Sequence, residues 1–365
     1  MRNLTKKEYW FWLCNIEHIG LKKIGAVLEL FKTPEAAFHE KEDVLEKAGC
    51  LTETDRVLFR RSKDMGRIRE NYAKLGEQGI YFVTKDDADY PEKLKAIYEP
   101  PFALYVKGAL PDTGRVSVAV VGARNCSDYG REMAGYFAGE LAGAGVQIIS
   151  GLARGVDGYA HKGALAAGGS TYAIEGCGVD ICYPKENFSL YLDMQANGGV
   201  ISEYGPGVHP KAGNFPMRNR LISGLSDGIL VIEAREKSGS LITVDMGLDQ
   251  GKNIYALPGR VNDLLSRGCN NLIKTGAKPV SGPEEILEDY LQNYEKINKD
   301  AKNIDKLLET KEKIVYACLS CIPKHMNEIA GETNISIMEL SEILLNLELK
   351  SYIKQIRKNY YSYIC

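Results

Sequence analysis

The feature that most constrains the fold is a strand, glycine turn and helix pattern that occurs twice between residues 116 and 169. β-Branched and small residues from Val116 to Val121 end at Gly122, and a second apolar run, Val146–Ile149, leads to Gly151. Neither run alternates apolar with polar residues, which is typical of strands that are covered on both faces. The pattern therefore predicts neighbouring parallel strands joined by crossover helices. Three residues are candidate N-caps of the first helix: Asn125, Ser127 and Asp128.

Both turns carry an arginine, Arg124 in the first and Arg154 in the second. The carboxyl ends of parallel strands meet at one edge of a sheet, where open α/β folds bind their ligands. Helix N-termini favour anions at such an edge, and the two guanidinium groups add full positive charges. The sequence therefore predicts a phosphate-bearing ligand. The first turn lacks the G-x-G-x-x-G spacing and the Walker A spacing, which argues against a dinucleotide and favours a phosphate held by side chains.

The alternation of strand, glycine turn and helix continues beyond residue 169, which predicts one extended parallel sheet in an α/β domain. A chain of 365 residues is long enough for two or three domains. The formal net charge is −2, so any nucleic-acid binding must depend on a local basic patch. The further predicted strands are Thr171–Ile174, 199–202, 227–233 and 253–257.

A segment with an aromatic residue and several cations, Asn214–Arg220, lies between two of these strands. Pro216 is placed at a helix start, which leaves Phe215 free to point outward as a platform for a stacked base. The alternative is that Phe215 belongs to the core and Arg218 forms an ordinary ion pair. We weigh the cations as a group, because all of them are predicted on or near turns: Arg124, Arg154, Lys185, Arg218, Arg220 and Lys252.

The sequence divides into four predicted parts. Residues 1–80 read as a helical domain of the helix-hairpin-helix or SAM type, where the turn at Gly20 serves either DNA contact or plain packing. Residues 81–285 are the predicted α/β domain with the parallel sheet, and 286–312 are a charged linker. Residues 313–365 carry three helical patterns and two short strands, which predicts a winged helix that binds DNA or docks a protein.

Several classes of protein and site are not expected. The chain has nine cysteines and no export signal, which favours free thiols. No apolar run approaches the length of a membrane span, so we expect a cytoplasmic protein with no membrane partner. No spacing of ligands predicts a metal site, and no nucleotide fingerprint predicts a cofactor.

The chain resembles the DprA/Smf family, the DNA-processing proteins of natural transformation. The resemblance is carried by several motifs in order, which are Val121–Arg124, Ser150–Asp157 with His161, Gly176–Asp180 with Tyr183, Asn214–Arg220, Ser238–Thr243, Ala256–Gly259 and Gly268–Ile273. The resemblance implies a Rossmann-like domain that binds single-stranded DNA, forms a homodimer and loads RecA. Met217 departs from the family pattern, which usually has another arginine there. By motif position, the family's single-strand contacts fall on Arg124, Ser127, Lys185, Phe215, Arg218 and Asn219.

The competing function is a nucleotide-processing enzyme of the phosphoribohydrolase (lysine-decarboxylase-like) group, which shares this type of sheet. That group carries a glutamate within a P-G-G-x-G-T-x-x-E signature, whereas here the corresponding stretch from Ser238 has no carboxylate before Asp245. Three strand-end carboxylates are the remaining candidates for acid–base chemistry: Glu175, Asp180 and Glu233. No nucleophile and base stand at a catalytic spacing, so we expect a binding protein with no catalytic residues.

Overall fold

The computed structural model describes residues 3–40, 44–45, 49–290, 310–319, 324–333, 335–350, 352–357 and 359–363. Its centre is a nine-stranded sheet with strand order β1-β2-β6-β5-β4-β3-β7-β8-β9. The strands from β3 to β9 pair in parallel, as the sequence pattern predicts. Their bounds are β1 Tyr81–Thr84, β2 Ala103–Gly108, β3 Ser117–Val121, β4 Gln147–Ser150, β5 Thr171–Ile174, β6 Gly198–Ser202, β7 Gly228–Val231, β8 Asn253–Ala256 and β9 Lys278–Pro279.

The sheet extends further than the repeated pattern suggests. Before Arg115, the sequence predicts a short strand at Ile80–Thr84 followed by further extended segments. In the structure this part of the chain forms β1 and β2, which join the sheet antiparallel to their neighbours. β2 pairs with β6, so Tyr105 lies opposite Ser202. The sequence cannot show this pairing, because it joins segments that are almost one hundred residues apart.

Helices cover both faces of the sheet and connect its strands. On one face α7 and α8 bury residues such as Phe137 and Ala160 against β3, β4 and β7. On the other face α10 packs Leu221 and Leu225 on the same strands. The bounds in this part of the chain are α6 Glu92–Lys95, α7 Asp128–Gly143, α8 Val156–Ala166, α9 Phe188–Ala196, α10 Asn214–Leu225, α11 Gly239–Asp249, α12 Arg267–Lys274 and α13 Glu284–Leu287.

The N-terminal region is helical, as predicted, and packs directly on the sheet. Its aromatic residues, including Trp12 and Phe38, share one hydrophobic cluster with Phe82 of β1 and Tyr105 of β2. The proposed division at residue 80 therefore separates sequence regions that share a core. The helices are α1 Lys6–Cys14, α2 Leu21–Phe31, α3 Pro34–His39, α4 Glu53–Arg61 and α5 Met65–Glu77.

The C-terminal region contains three helices and a three-stranded antiparallel sheet of order β10-β12-β11. This is the predicted winged helix with one more short strand than the sequence suggests. It has its own hydrophobic cluster around Val315, Leu340 and Leu344. The predicted linker lies largely outside the described residues. The bounds are α14 Thr310–Ala317, β10 Lys324–His325, α15 Met326–Thr333, α16 Ile337–Leu349, β11 Ile353–Arg357 and β12 Tyr360–Tyr363.

Within the described part of the chain, no helix is long and apolar enough to cross a membrane.

Candidate nucleic-acid interface

A cleft of about 760 Å³ opens at the carboxyl edge of the parallel strands. Its walls come from the β3–α7 turn, the start of α10 and the segment between β7 and α11. This is the edge at which the sequence pattern predicts a ligand. The side chains and backbone around it include Arg124, Asn125, Ala153, Asp157, Tyr183, Phe215, Arg218, Asn219, Arg235, Lys237, Ser238, Gly239, Ser240 and Thr243.

The β3–α7 turn is held by a capping network around Ser127. The Ser127 Oγ atom accepts a hydrogen bond from the backbone N–H of Gly130 at 3.0 Å. The Ser127 backbone N–H and hydroxyl donate to the two carboxylate oxygens of Glu233, at 2.9 and 2.5 Å. The hydroxyl is therefore engaged in capping and in the bond to Glu233, so Ser127 positions the turn rather than offering a free phosphate contact.

The two strand-to-helix turns touch each other through a glycine. Gly155 has φ +72°, and a Cβ atom there would lie 2.3 Å from the carbonyl oxygen of Ala123. Only glycine combines this backbone conformation with such a close approach. The contact fixes the position of Arg124, which follows Ala123 directly. The Arg124 side chain is exposed and forms no ion pair with any residue in the described ranges.

Phe215 lies in the first turn of α10 and is half-buried. Its ring centroid is 5.4 Å from that of Tyr183, and a Cβ atom on Gly176 would lie 2.9 Å from its Cδ1 atom. The Cζ atoms of Arg124 and Arg218 are 5.8 and 5.7 Å from the ring centroid. An aromatic ring beside two guanidinium groups is an arrangement suited to a stacked base and its phosphates.

Arg218 differs from the exposed cation that the sequence suggests, because the residue is only 4% exposed. Its Nη1 atom donates to the carbonyl oxygens of Gly151, at 2.9 Å, and of Ile174. The Gly151 carbonyl begins the turn after β4, and the Ile174 carbonyl lies at the end of β5. The guanidinium group therefore bridges two neighbouring strands beneath the cleft. Burial lowers the pKa of Arg218, while the charges of Glu175 and Asp157 act in the opposite direction.

The carboxyl groups near Arg218 are also buried. Burial raises the pKa of Glu175 to about 8, although Arg218 and backbone N–H donors partly offset the effect. Burial also raises the pKa of Asp157, whose Oδ2 atom accepts from the Gly151 N–H at 3.2 Å. Burial lowers the pKa of His161 to about 3, and its Nδ1 atom lies 2.6 Å from the Thr171 hydroxyl. All three groups are buried and lie close enough to Arg218 for its charge to affect their pKa values.

Two of the predicted cations, Arg220 and Lys252, do not line the cleft. Arg220 is 5% exposed and forms a buried ion pair with Glu203, with Nη–Oε distances of 2.9 and 2.7 Å. Lys252 directly precedes β8, so it lies at the amino edge of the sheet, opposite the cleft. Of the six cations predicted on or near turns, Lys252 thus lies at the edge away from the cleft, and the guanidinium group of Arg220 is held by Glu203.

The remaining predicted residues lie in or beside the cleft. Asn219 lines it, and its Nδ2 atom donates to the carbonyl oxygen of Gly239 at 3.4 Å. Arg154 and Lys185 are exposed outside the cleft lining, and Arg154 forms an ion pair with Glu186.

Three residues that line the cleft are absent from the predicted site. Arg235 and Lys237 are exposed cations in the segment after β7, and Tyr183 is 42% exposed beside Phe215. Their signal was present, because the segment after β7 returns to the same carboxyl edge as the turns with Arg124 and Arg154. The pattern of strand and turn could therefore have located Arg235 and Lys237, which no motif named.

None of the three candidate acid–base residues lines the cleft. Glu233 is 3% exposed and bonded to Ser127, as described above. Asp180 accepts from the Gly207 N–H at 3.0 Å, and Glu175 is fully buried. Across the residues that the structure describes, no group of histidine, cysteine and carboxylate side chains is arranged to hold a metal ion.

Comparison with known proteins identifies relatives of the sequence. The family model described as DNA recombination-mediator protein A matches residues 81–291. The DNA processing protein DprA of Bacillus subtilis is 40% identical over 219 residues, which cover 60% of this chain and 73% of that protein.

Comparison of structures agrees with the sequence match. The X-ray structure of DNA processing protein A from Streptococcus pneumoniae has a TM-score of 0.66 and 34% identity, covering 79% of this chain and 98% of that one. The Helicobacter pylori protein, described for its single-stranded DNA binding mode, has a TM-score of 0.52 and 31% identity. That match covers 58% of this chain and 97% of the other.

Proposed function

The chain belongs to the DNA recombination-mediator protein A family, and from that premise we propose that it binds single-stranded DNA in the cleft as a recombination mediator of transformation. The observation that carries the proposal is Phe215, a half-buried ring with guanidinium carbons of Arg124 and Arg218 within 6 Å of its centroid. A ring of this kind stacks on any base, and neighbouring cations neutralise the phosphates. The Helicobacter pylori relative, whose single-stranded DNA binding mode has been described, supports the same ligand.

The division of work within the cleft follows from exposure. The rim of the cleft carries three exposed cations that are suited to phosphate contact: Arg124, Arg235 and Lys237. Arg218 is buried and bonded to two carbonyl groups, so it holds the strand ends and the ring in place. Asn219 is half-buried at the wall and offers an amide to a base or a sugar.

The experiment is fluorescence anisotropy with labelled oligothymidylate over a salt series, with Arg124→Ala compared with the unaltered protein. Loss of one phosphate contact weakens binding and reduces the slope of log K against log salt by about 0.7 for a single strand. Arg131→Ala is the matched control, because Arg131 is exposed on α7, pairs with Asp128 and lies outside the cleft lining. Equal slopes for Arg124→Ala and the unaltered protein, or tighter binding of duplex than of single strand, would contradict the proposal.

The partners in this proposal are single-stranded DNA, RecA and a second copy of the chain. The family description as a recombination mediator supports a role in loading RecA. Such a role places the protein in the cytoplasm, where RecA acts on incoming strands. Sedimentation velocity tests the homodimer, and RecA filament formation on strands covered by a single-strand binding protein tests loading. A protein that binds the strand but never accelerates filament formation would limit the role to protection.

The alternative function, a nucleotide-processing enzyme, is not part of this proposal. The expected absence of hydrolysis is tested by incubating the protein with nucleoside monophosphates and separating any released base by chromatography. Steady release of base that stops on Glu233→Gln would overturn the assignment as a binding protein. Because Glu233 also holds the β3–α7 turn, thermal unfolding of that variant must match the unaltered protein before the result is interpreted.

A further inference from the structure

A short segment at the edge of the cleft, residues 183–188, combines aromatic and positively charged side chains; it is here called the outer lip. It begins with Tyr183, whose ring contacts Phe215 inside the cleft. A single 3₁₀ turn, Lys185–Asn187, then leads to Phe188 at the start of α9. The outer lip therefore continues the aromatic wall of the cleft onto the outer surface.

The outer lip is fixed to the wall of the cleft by Asn187. Its Nδ2 atom donates to the carbonyl oxygens of Leu152 and Ala153, at 2.8 and 3.2 Å. Ala153 itself lines the cleft. The position of Phe188, the next residue, is thus tied to the turn after β4 and does not depend on a free loop.

Phe188 is a large apolar side chain held in solvent. It is 55% exposed. Its ring lies against the buried ring of Tyr191, with centroids 6.1 Å apart and planes 20° apart, and the Tyr191 hydroxyl donates to the carbonyl oxygen of Val179. One side of the Phe188 ring is therefore supported by a fixed ring, and the exposed side is open to a further aromatic group. A base in that position would continue an existing stack.

Two cations accompany this ring. Lys185 is exposed and forms no ion pair with the residues described by the structure. Arg154 pairs with Glu186, and the two side chains are 61% and 60% exposed. An ion pair so open to water contributes little to stability, so a phosphate can compete for the guanidinium group.

We propose that the outer lip is a second stacking site for single-stranded nucleic acid, with Phe188 as the platform and Lys185 and Arg154 as phosphate contacts. The inference rests on the proposed function, because the strand reaches the outer lip by leaving the cleft past Tyr183. Leu192, one helical turn beyond Phe188, is 50% exposed. A protein contact through Phe188 and Leu192 is therefore the alternative that the experiment must separate.

The experiment measures affinity for a length series of labelled oligothymidylates, from about 4 to about 16 nucleotides. For the shortest strands that bind, which occupy only the cleft, Phe188→Ala should match the unaltered protein. For the long strands it should bind about tenfold more weakly, the effect of losing one stacked base. Lys185→Gln should reduce the salt slope by about 0.7 for long strands alone. Tyr136→Ala is the matched control, because Tyr136 is 46% exposed on α7 and lies outside both the cleft lining and the outer lip.

Each outcome separates this inference from the proposed function. Equal affinity of Phe188→Ala and the unaltered protein at every strand length would overturn the outer lip as a binding site. If both proteins still bind the strands tightly, the proposed function of the cleft is unaffected. A change in sedimentation with unchanged DNA affinity assigns Phe188 to a protein contact and also overturns the outer lip as a binding site. Failure of the unaltered protein to bind any strand contradicts the proposed function itself. Thermal unfolding shows whether each variant is folded. If Phe188→Ala does not fold, Lys185→Gln still tests the outer lip independently.

Discussion

The rim and the floor of the cleft use the same residue types in opposite ways. On the rim, Arg124, Arg235 and Lys237 are exposed, so their charges are available to a ligand. On the floor, Arg218 is buried and bonded to backbone carbonyls, with buried carboxyl groups nearby. An arginine on the rim can be lost without disturbing the fold, whereas the arginine on the floor connects the ends of two strands.

The difference shows why a charged motif does not by itself identify a ligand contact. Arg218 belongs to the motif that carries the family resemblance, yet its donors point to Gly151 and Ile174. In the proposed mode of binding, Arg218 acts on the strand through Phe215, whose ring centroid lies 5.7 Å from the Arg218 Cζ atom. We therefore propose that the floor positions the ring and that the rim contacts the strand. The predictions below test this division, beginning with the largest expected effect.

The largest effect is expected for Arg218→Ala. The substitution leaves buried carboxyl groups without their cation and two strand-end carbonyls without a donor. Breaking a buried charge arrangement in this way costs about 3–5 kcal/mol in the free energy of unfolding. Urea unfolding measures the loss, and Arg124→Ala, as the matched arginine of the rim, should stay within about 0.5 kcal/mol of the unaltered protein. Similar stability of the two variants would remove the distinction between rim and floor.

A second effect, at most about 5 kcal/mol, is expected in the pH dependence of stability. Burial raises the pKa of Glu175 from 4.5 to about 8, so the folded protein retains a proton that the unfolded chain releases. The contribution of this group to stability is thus fully present below pH 4.5 and is lost as the pH rises to about 8. Each unit of pKa corresponds to about 1.4 kcal/mol. Unfolding in urea across this pH range measures the slope.

Glu175→Gln isolates this contribution, because glutamine has nearly the same shape and does not titrate. The difference in unfolding free energy between Glu175→Gln and the unaltered protein should move in favour of the variant between pH 4.5 and 8. Asp128→Asn is the matched control, because it removes an exposed carboxylate at the start of α7. Parallel curves for Glu175→Gln and the unaltered protein would mean that the floor carries no titrating carboxyl group.

Most of the parallel sheet could be predicted from the sequence. An apolar run followed by a glycine turn, as in Val116–Gly122, indicates a strand that is buried on both faces of the sheet. This signal lies within a few consecutive residues, so the sequence alone contains it. The antiparallel pairing of β1 and β2 within this sheet could not be predicted, because it depends on contacts between separate segments of the chain. The sequence offers three candidate N-caps for α7. In the structure the N-cap is Ser127, whose Oγ atom accepts a hydrogen bond from the Gly130 N–H.

The cleft lies at the carboxyl edge, where the sequence pattern predicts a ligand, but the roles of its residues could not be read from residue types. Arg218 and Arg220 lie two residues apart on α10, and the fold buries both of them against different partners. A sequence shows that an arginine is present; its exposure depends on which carbonyl or carboxylate the fold brings near it. Lys252 illustrates the same limit, since a turn at the amino edge of a parallel sheet looks much like one at the carboxyl edge.

The last prediction concerns Phe215→Ala, where the effect on DNA binding should exceed the effect on stability. Loss of a stacked base weakens binding by about 1–3 kcal/mol, which corresponds to roughly ten- to a hundredfold near the middle of that range. The ring is half-buried and packs on Gly176 and Tyr183, so its removal leaves little cavity and should lower the free energy of unfolding by less than a core truncation. Anisotropy with oligothymidylate and urea unfolding give the two quantities.

Phe137→Ala makes the comparison sharp, because it is the same substitution at a ring that is fully buried on α7. Truncation of a core phenylalanine costs about 3–5 kcal/mol of stability, and where the variant is still folded its cleft is unchanged, so it should bind DNA normally. Phe215→Ala should show the reverse, with a nearly unchanged unfolding transition and weak binding. If Phe215→Ala instead unfolds as easily as Phe137→Ala and binds fully when folded, the ring is part of the core. The rim cations would then hold the strand without a platform.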